Sequence, residues 1–234
     1  MKTDLHIHSC LSPCGSLEMS PVAIARAAAA AGLGAVALTD HNSSLNLPAF
    51  EKACRMEKLA CLFGIEVCTA EEIHVLCLFD RLDPAIDLGE QLSDHMPRIR
   101  NRPEKMGDQV YVDIDENILG EVEWFLGVAC DWPLTTLAGI VIRQGGLFIP
   151  SHVDRPSCSI MSQLGYIPDL PYDAMEVTSA CLPPGRFSSD LARYPKIMSS
   201  DAHFLKDIGR RSIDLQVDKF DVEHIRQALQ LLIP

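Results

Sequence analysis

The chain has 234 residues, 47% of them hydrophobic and 22% charged, the balance of a soluble globular protein and long enough for one barrel-sized domain. Its formal net charge of −12 argues against a protein that holds nucleic acid by general attraction to phosphates, so a nucleic-acid polymer is not the expected partner. Nine cysteines, an odd number without tight spacings, suit reduced thiols in a cytoplasm better than a disulfide scaffold.

Met1-Lys2-Thr3 runs directly into a first strand, Asp4-Leu5-His6-Ile7-His8-Ser9, with no secretory signal before it. The alanine-rich stretch at 21–38 resembles a membrane span only in hydropathy. Ser20-Pro21 opens it as a helix start, it contains Arg26, and Gly32 and Gly34 interrupt it, so a helix over 21–31 and a strand over 35–38 explain it better. The expectation is a cytoplasmic protein without membrane association.

That second strand is continuously apolar, as in a parallel strand covered on both faces, and it ends in Thr39-Asp40-His41-Asn42. A helix follows over 48–58, then a strand over 62–67 that delivers Glu66, and a strand over 73–79 with His74 near its start. Between 92 and 133 the rhythm breaks. Arg98, Arg100 and Arg102 sit in a proline-punctuated loop, and 110–115 with 119–123 reads as a hairpin around Glu116-Asn117. This stretch is too small for its own core and is read as an excursion from a single domain over 1–234.

The alternation resumes with a helix over 134–143 and a strand over 147–150 that opens onto Ser151-His152-Val153-Asp154-Arg155. Strands over 174–177 and 196–200 follow, the latter ending in Asp201-Ala202-His203. A last strand over 212–217 and an amphipathic helix capped by Asp221 complete the chain. Seven or eight strands alternating with helices predict an α/β barrel. A doubly wound open sheet is the alternative, but no glycine-rich phosphate loop follows the first strand.

His6 and His8 share one strand face, because strand side chains alternate with period two. Alone, His-x-His is a weak signal that core packing can also produce. His41, Glu66, His74, His152, Asp201 and His203 repeat the pattern at or near the ends of later strands. Imidazole and carboxylate donors together suit zinc, iron or manganese, and a shared carboxylate can bridge two ions. His95 and His224 lie outside this pattern and read as structural or solvated.

These residues resemble the PHP domain (polymerase and histidinol phosphatase) family of metal-dependent phosphoesterases. The resemblance rests on Asp4-Leu5-His6-Ile7-His8-Ser9, Thr39-Asp40-His41, Gly64-Ile65-Glu66, His74, His152 and Ser200-Asp201-Ala202-His203. It implies a distorted (β/α)7 TIM-like barrel with the metal ligands at the C-terminal ends of the strands. It further implies two or three divalent ions. One is held by His6, His8, Glu66 and Asp201, and a second by Glu66, His74 and His152. A third is held by His41 and His203 with a residue from the first loop. At that loop position family members carry Asp or His, where this chain has Pro13 and Cys14. Cys14 as a thiolate ligand would favour zinc or iron over manganese. The alternative is an ordinary loop cysteine with the third site weak or absent.

The resemblance makes Glu66, Asp201 and His203 the expected catalytic residues, and Arg155 joins them by its place three residues after His152. Arg155 and Arg186 are expected to bind the substrate, a small phosphate ester drawn to a cationic well within an acidic shell. Asp4 and Asp40 are expected to orient nearby imidazoles. Two other readings stay open: an amidohydrolase, which also opens a barrel with His-x-His, and a non-catalytic metal-binding module.

Overall fold

The computed structural model describes residues 1–179 and 186–233, and of Arg186 only the backbone. Strand β1 (Lys2–Asp4) is followed by helix α1 (Pro21–Ala30), β2 (Ala35–His41), α2 (Leu47–Glu57), β3 (Ala60–Cys68), β4 (His74–Phe79) and α3 (Leu82–Asp94). The excursion holds the short helix α4 (Pro103–Met106) and an antiparallel ribbon of β5 (Val110–Val112) and β6 (Ile118–Glu121). Then come α5 (Leu134–Arg143), β7 (Leu147–Pro150), α6 (Ile160–Leu164) and β8 (Met175–Glu176). The last elements are α7 (Arg186–Leu191), β9 (Lys196–Ile197), β10 (Ile213–Asp214) and α8 (Val222–Gln230).

Local chemistry sets several boundaries. The Ser20 hydroxyl accepts from the Ala23 amide, with Pro21 at the first helical position, and Asp221 caps α8 by accepting from His224. Helix α3 occupies a stretch to which the sequence reading assigns no element. Its buried residues Ala85, Leu88, Gly89 and Leu92 nonetheless fall at helical spacing.

Six strands form one curled sheet in the order β10-β1-β2-β3-β4-β7, with β8 and β9 as a separate parallel pair. Single bonds continue the curl. Asp173 N donates to Phe148 O at 3.1 Å, Val153 N to Glu176 O at 2.8 Å, and Ile7 bridges to Ala202. Strands β1, β2 and β3 run parallel, whereas β4 is antiparallel to β3 and β7 is antiparallel to β4. The expected placement of every ligand at a strand C-terminus therefore needs one correction. The chain turns directly from β3 into β4 through residues 69–73, a connection too short for a helical crossover, so β4 must run backwards. His74 begins β4 but pairs with Cys68 at the end of β3, and so arrives at the same rim as the other ligands.

The inward faces explain why polar ligands gather at one end. Leu5, Ala37, Leu62, Leu76, Ile149 and Ile197 pack inside the curl, and Val222, Ile225 and Leu229 of α8 close that end. Outward residues such as Val36, Ile65, Val75 and Phe148 pack in a second cluster with Ile24, Phe50, Leu88 and Val141 from the helices. Each large apolar side chain removed from water contributes about 1.5–3 kcal/mol. Period two then carries the inward face from Ala37 through Thr39 to His41, from Leu62 through Gly64 to Glu66, and from Leu78 through Leu76 to His74. Gly64 has no side chain because one there would meet Leu78 Cδ2 at 2.5 Å and Thr39 Cγ2 at 2.9 Å. Strand β1 ends at Asp4, so His6 and His8 belong to an extended segment whose rings still turn inward, both fully buried.

The excursion rests on the loops around this rim. Asn42, one residue after His41, donates through Nδ2 to Leu126 O at 2.7 Å and Val128 O at 2.8 Å, and its Oδ1 accepts from Cys68 N. Val110 N donates to Cys10 O, and Asn46 Oδ1 accepts from Val112 N. Gly107, at φ +93°, passes so close to Pro13 that a side chain there would overlap the Pro13 carbonyl. The eight cysteines among the described residues are all free thiols. Among the described residues no helix is long and apolar enough to cross a membrane.

Candidate metal centre

Glu66 is the hub. It is 1% exposed, and five imidazoles surround its carboxylate. Its Oε1 lies 3.3 Å from His6 Nε2 and 3.2 Å from both His74 Nδ1 and His152 Nε2. Its Oε2 lies 3.4 Å from His8 Nε2 and 3.0 Å from His41 Nδ1. The register aligns His41 directly with Glu66 across β2 and β3. Asp201 closes the opposite side, its Oδ1 lying 3.3 Å from His6 Nε2 and 3.2 Å from His8 Nε2. All eight histidine and carboxylate positions singled out in the sequence thus converge, while His95 pairs with Asp131 and His224 with Asp221.

The outer hydrogen bonds fix which ring nitrogens face inward. His6 Nδ1 lies 3.0 Å from Glu176 Oε2 and donates to that carboxylate, leaving Nε2 towards Asp201. Ser12 Oγ donates to Asp40 Oδ1 at 2.7 Å, so it accepts from His8 Nδ1 at 3.0 Å. His203 Nδ1 donates to the Asp201 carbonyl at 2.9 Å. His6 and His8 therefore aim their Nε2 atoms at each other across 3.0 Å, a spacing that a proton on His6 bridges in the metal-free protein and that leaves both nitrogens as donors once that proton is displaced.

A metal fits this donor set. Glu66 Oε1 and His74 Nδ1 are both buried without a hydrogen-bond partner, although they stand 3.2 Å apart. Such groups are close but not aligned on one another, as ligands aimed at a common ion would be. Three groups bring their donor atoms within 4.8 Å of one another: His6, His8 and Asp201; His41, Glu66 and His74; and His8, His41 and His203. Cys14 is exposed in its loop and belongs to none of these groups among the described residues. Desolvation and the negative charge of Glu66 push its thiol up to about 12.

The electrostatics are those of tightly coupled ions. Burial opposes charge on His6, but Glu176, Glu66 and Asp201 outweigh it and hold the pKa well above the ordinary histidine value. At His74, burial is likewise outweighed, chiefly by Glu66. Burial and the neighbouring His203 and His41 hold His8 well below that value. Burial disfavours the Glu66 anion, yet His74, His6 and His41 keep its pKa well below the usual carboxylate range. Backbone strain collects here as well: His152 at φ +30° and Asp201 at φ +51° occupy the left-handed region that side chains avoid.

Arg155 reaches this cluster, its Nη2 2.6 Å from Asp201 Oδ2. The side chain of Arg186 lies outside the described residues. Asp40 orients His8 through Ser12, whereas Asp4 orients backbone instead of an imidazole: it accepts from Ser200 N and Gly209 N, each at 2.9 Å. The geometry adds Glu176, which sequence reading missed. Its signal is a lone carboxylate in the apolar run Ala174-Met175-Glu176-Val177, where an unpaired charge is costly. Glu176 also accepts from His152 N at 2.9 Å, so it joins two ligand segments. Glu176→Ala is expected to weaken metal affinity about 10–100-fold, measured by competition with a chelator. Unchanged affinity would remove Glu176 from the site.

Residues 4–119 match the family model described as the PHP domain. No curated protein matches the chain in sequence. Among solved structures, the lesion-specific endonuclease Q of Pyrococcus furiosus shares the fold at 19% identity and TM-score 0.72, over 99% of this chain and 56% of that one. The chain thus spans little more than half of that protein. A second endonuclease Q structure, at 20% identity and TM-score 0.68, covers 99% of this chain and 56% of that one, and holds a 27-mer duplex with an abasic lesion at its active site. A protein assigned as a metal-dependent phosphoesterase from Bifidobacterium adolescentis matches at 16% identity and TM-score 0.63, over 97% and 95% of the two chains.

These likenesses correct the expectation against nucleic acid. Endonuclease Q, which shares the fold over 56% of its own length, holds duplex DNA with the lesion at its active site, so the fold does not bar a nucleic-acid substrate. The net charge of −12 is a sum over the whole surface and does not report the potential at one rim. Here Arg155, Arg210 and Arg211 stand around Asp201. The family match spans the opening histidine pair and Glu66 that organise the centre, and residues 4–119 are those of a PHP domain.

Proposed function

We propose that the chain is a metal-dependent phosphoesterase whose substrates include phosphodiesters of nucleic acid. One observation carries the reading: five imidazoles surround the Glu66 carboxylate within 3.4 Å, with Asp201 and His203 beside them, and Glu66 Oε1 is buried without a hydrogen-bond partner. The three donor groups support up to three divalent ions, which when bound would polarise a phosphoryl oxygen and lower the pKa of water towards neutrality. The chain's residues supply the rest. Glu66 and Asp201 provide anionic donors, Glu176 and Ser12 hold His6 and His8 in one tautomer, and Arg155 offers a guanidinium to a phosphoryl oxygen beside Asp201. We read Cys14 as an outlying loop thiol, since His8 stands with His41 and His203 in the third group. The bonds from β7 to β8 and from Ile7 to Ala202 support a closed seven-stranded barrel, with the excursion resting on its rim.

The protein reconstituted with manganese, zinc or iron is expected to hydrolyse members of a panel of phosphomonoesters and phosphodiesters, including an abasic-site duplex, and to lose that activity to a chelator. A full metal complement with no hydrolysis across the panel would overturn the reading in favour of an amidohydrolase.

A further inference from the structure

Beside the metal centre, and sharing Asp201 as a wall, lies a polar cavity of about 310 Å³ lined by Ser200, Asp201, Asp207, Arg210 and Arg211. Its frame is built into the fold. The fully buried carboxylate of Asp4 accepts from Ser200 N through Oδ1 and from Gly209 N through Oδ2, each at 2.9 Å. One anion therefore ties both ends of the 200–209 segment together, and the chain turns at Gly209, φ +73°, to present the two arginines. Arg210 is held by Asp207, Nη1 to Oδ1 at 2.7 Å. Arg211 is exposed, and among the described residues no hydrogen bond or ion pair engages it. On the other side of Asp201, Arg155 already takes Oδ2. Three guanidiniums thus stand beside Asp201 and Asp207, and Arg211 is the one that no carboxylate among the described residues engages.

We propose that this cavity is a subsite for a second phosphate group of the substrate, next to the phosphate that enters the metal centre, with Arg211 as its principal contact. The proposal rests on the phosphoesterase reading and deepens it: the substrate class is one carrying two neighbouring phosphates, as in a nucleotide chain, rather than an isolated phosphomonoester. Arg210, already anchored, keeps the wall in place, and Arg211 is the donor left for the ligand. A guanidinium suits this task because its planar fork can take two phosphate oxygens at once.

The test uses the full chain loaded with manganese and two probes, a phosphorothioate oligothymidylate that resists cleavage and thymidine 5′-phosphate. Wild type is expected to bind the oligothymidylate more tightly, and R211A to lower that preference about tenfold, with partial recovery in R211K. Removing one phosphate contact also lowers the slope of log affinity against log salt by about 0.7 for a single strand, a readout that a structural defect would not move. Equal affinity of wild type for both probes, or an unchanged preference and salt slope in R211A, would overturn the subsite. Arg211-dependent binding without hydrolysis of any phosphodiester would instead overturn the phosphoesterase reading and leave the subsite standing.

Discussion

Glu66→Gln is expected to reduce metal-supported turnover by at least about a thousandfold and to leave the protein short of metal. The substitution keeps the side-chain volume but removes the charge that five imidazoles face. One amide oxygen cannot replace two anionic oxygens that lie within 3.4 Å of five imidazole nitrogens. The fold should survive, because His6 and His74 can shed their protons once the buried anion is gone. Elemental analysis of the purified variant beside its melting curve separates these outcomes. A folded variant with full metal and full turnover would remove Glu66 from the centre.

The second large effect is the coupling of metal binding to protons. In the metal-free protein His6 and His74 have pKa values well above the ordinary histidine value, so at neutral pH they carry protons that an incoming cation must displace. Metal affinity should therefore rise with pH through the range where these two groups deprotonate, with net proton release. Calorimetric titrations in buffers of different ionisation enthalpy measure that release, and a pH-independent affinity would contradict it.

The same shifts set the stability of the metal-free chain. His6 and His74, raised in the fold, contribute stability that is fully present below the unfolded histidine value of about 6.5 and lost as pH rises through their folded values. Glu66 and Asp201, depressed in the fold, contribute stability that is present above the unfolded carboxylate values of about 4 and lost as pH falls through their folded values. His8, also depressed, works in the acidic direction too, since the unfolded chain binds its proton first. Metal-free stability should accordingly fall on both sides of an intermediate pH. Loaded protein should resist the alkaline loss, because the metal takes the place of those protons.

Much of this centre was legible in the chain before any coordinates. The period-two pattern put His6 and His8 on one face, and the strand ends named His41 and Glu66, which parallel strands in register bring level. Capping chemistry placed α1 and α8 within a residue or two, and the apolar run 35–38 marked a buried strand that the structure extends to His41. The hairpin in the excursion followed from its turn, although its strands are shorter than expected. Helix α3 was equally readable from the spacing of Ala85, Leu88 and Leu92.

What the sequence by itself determined was the inventory of ligands and the faces they occupy, because side-chain direction in a strand is a local property of the backbone. The tertiary structure alone decided who meets whom. That Glu176 holds His6 across 170 residues, that Asp4 serves backbone amides near Asp201 instead of an imidazole, and that His74 reaches the rim on a reversed strand all depend on how the sheet curls. The same holds for charge. A net −12 is written in the composition, but the guanidiniums beside Asp201 gather there only because Gly209 and Asp4 fold Arg210 and Arg211 next to it, and potential depends on distance, which composition does not contain.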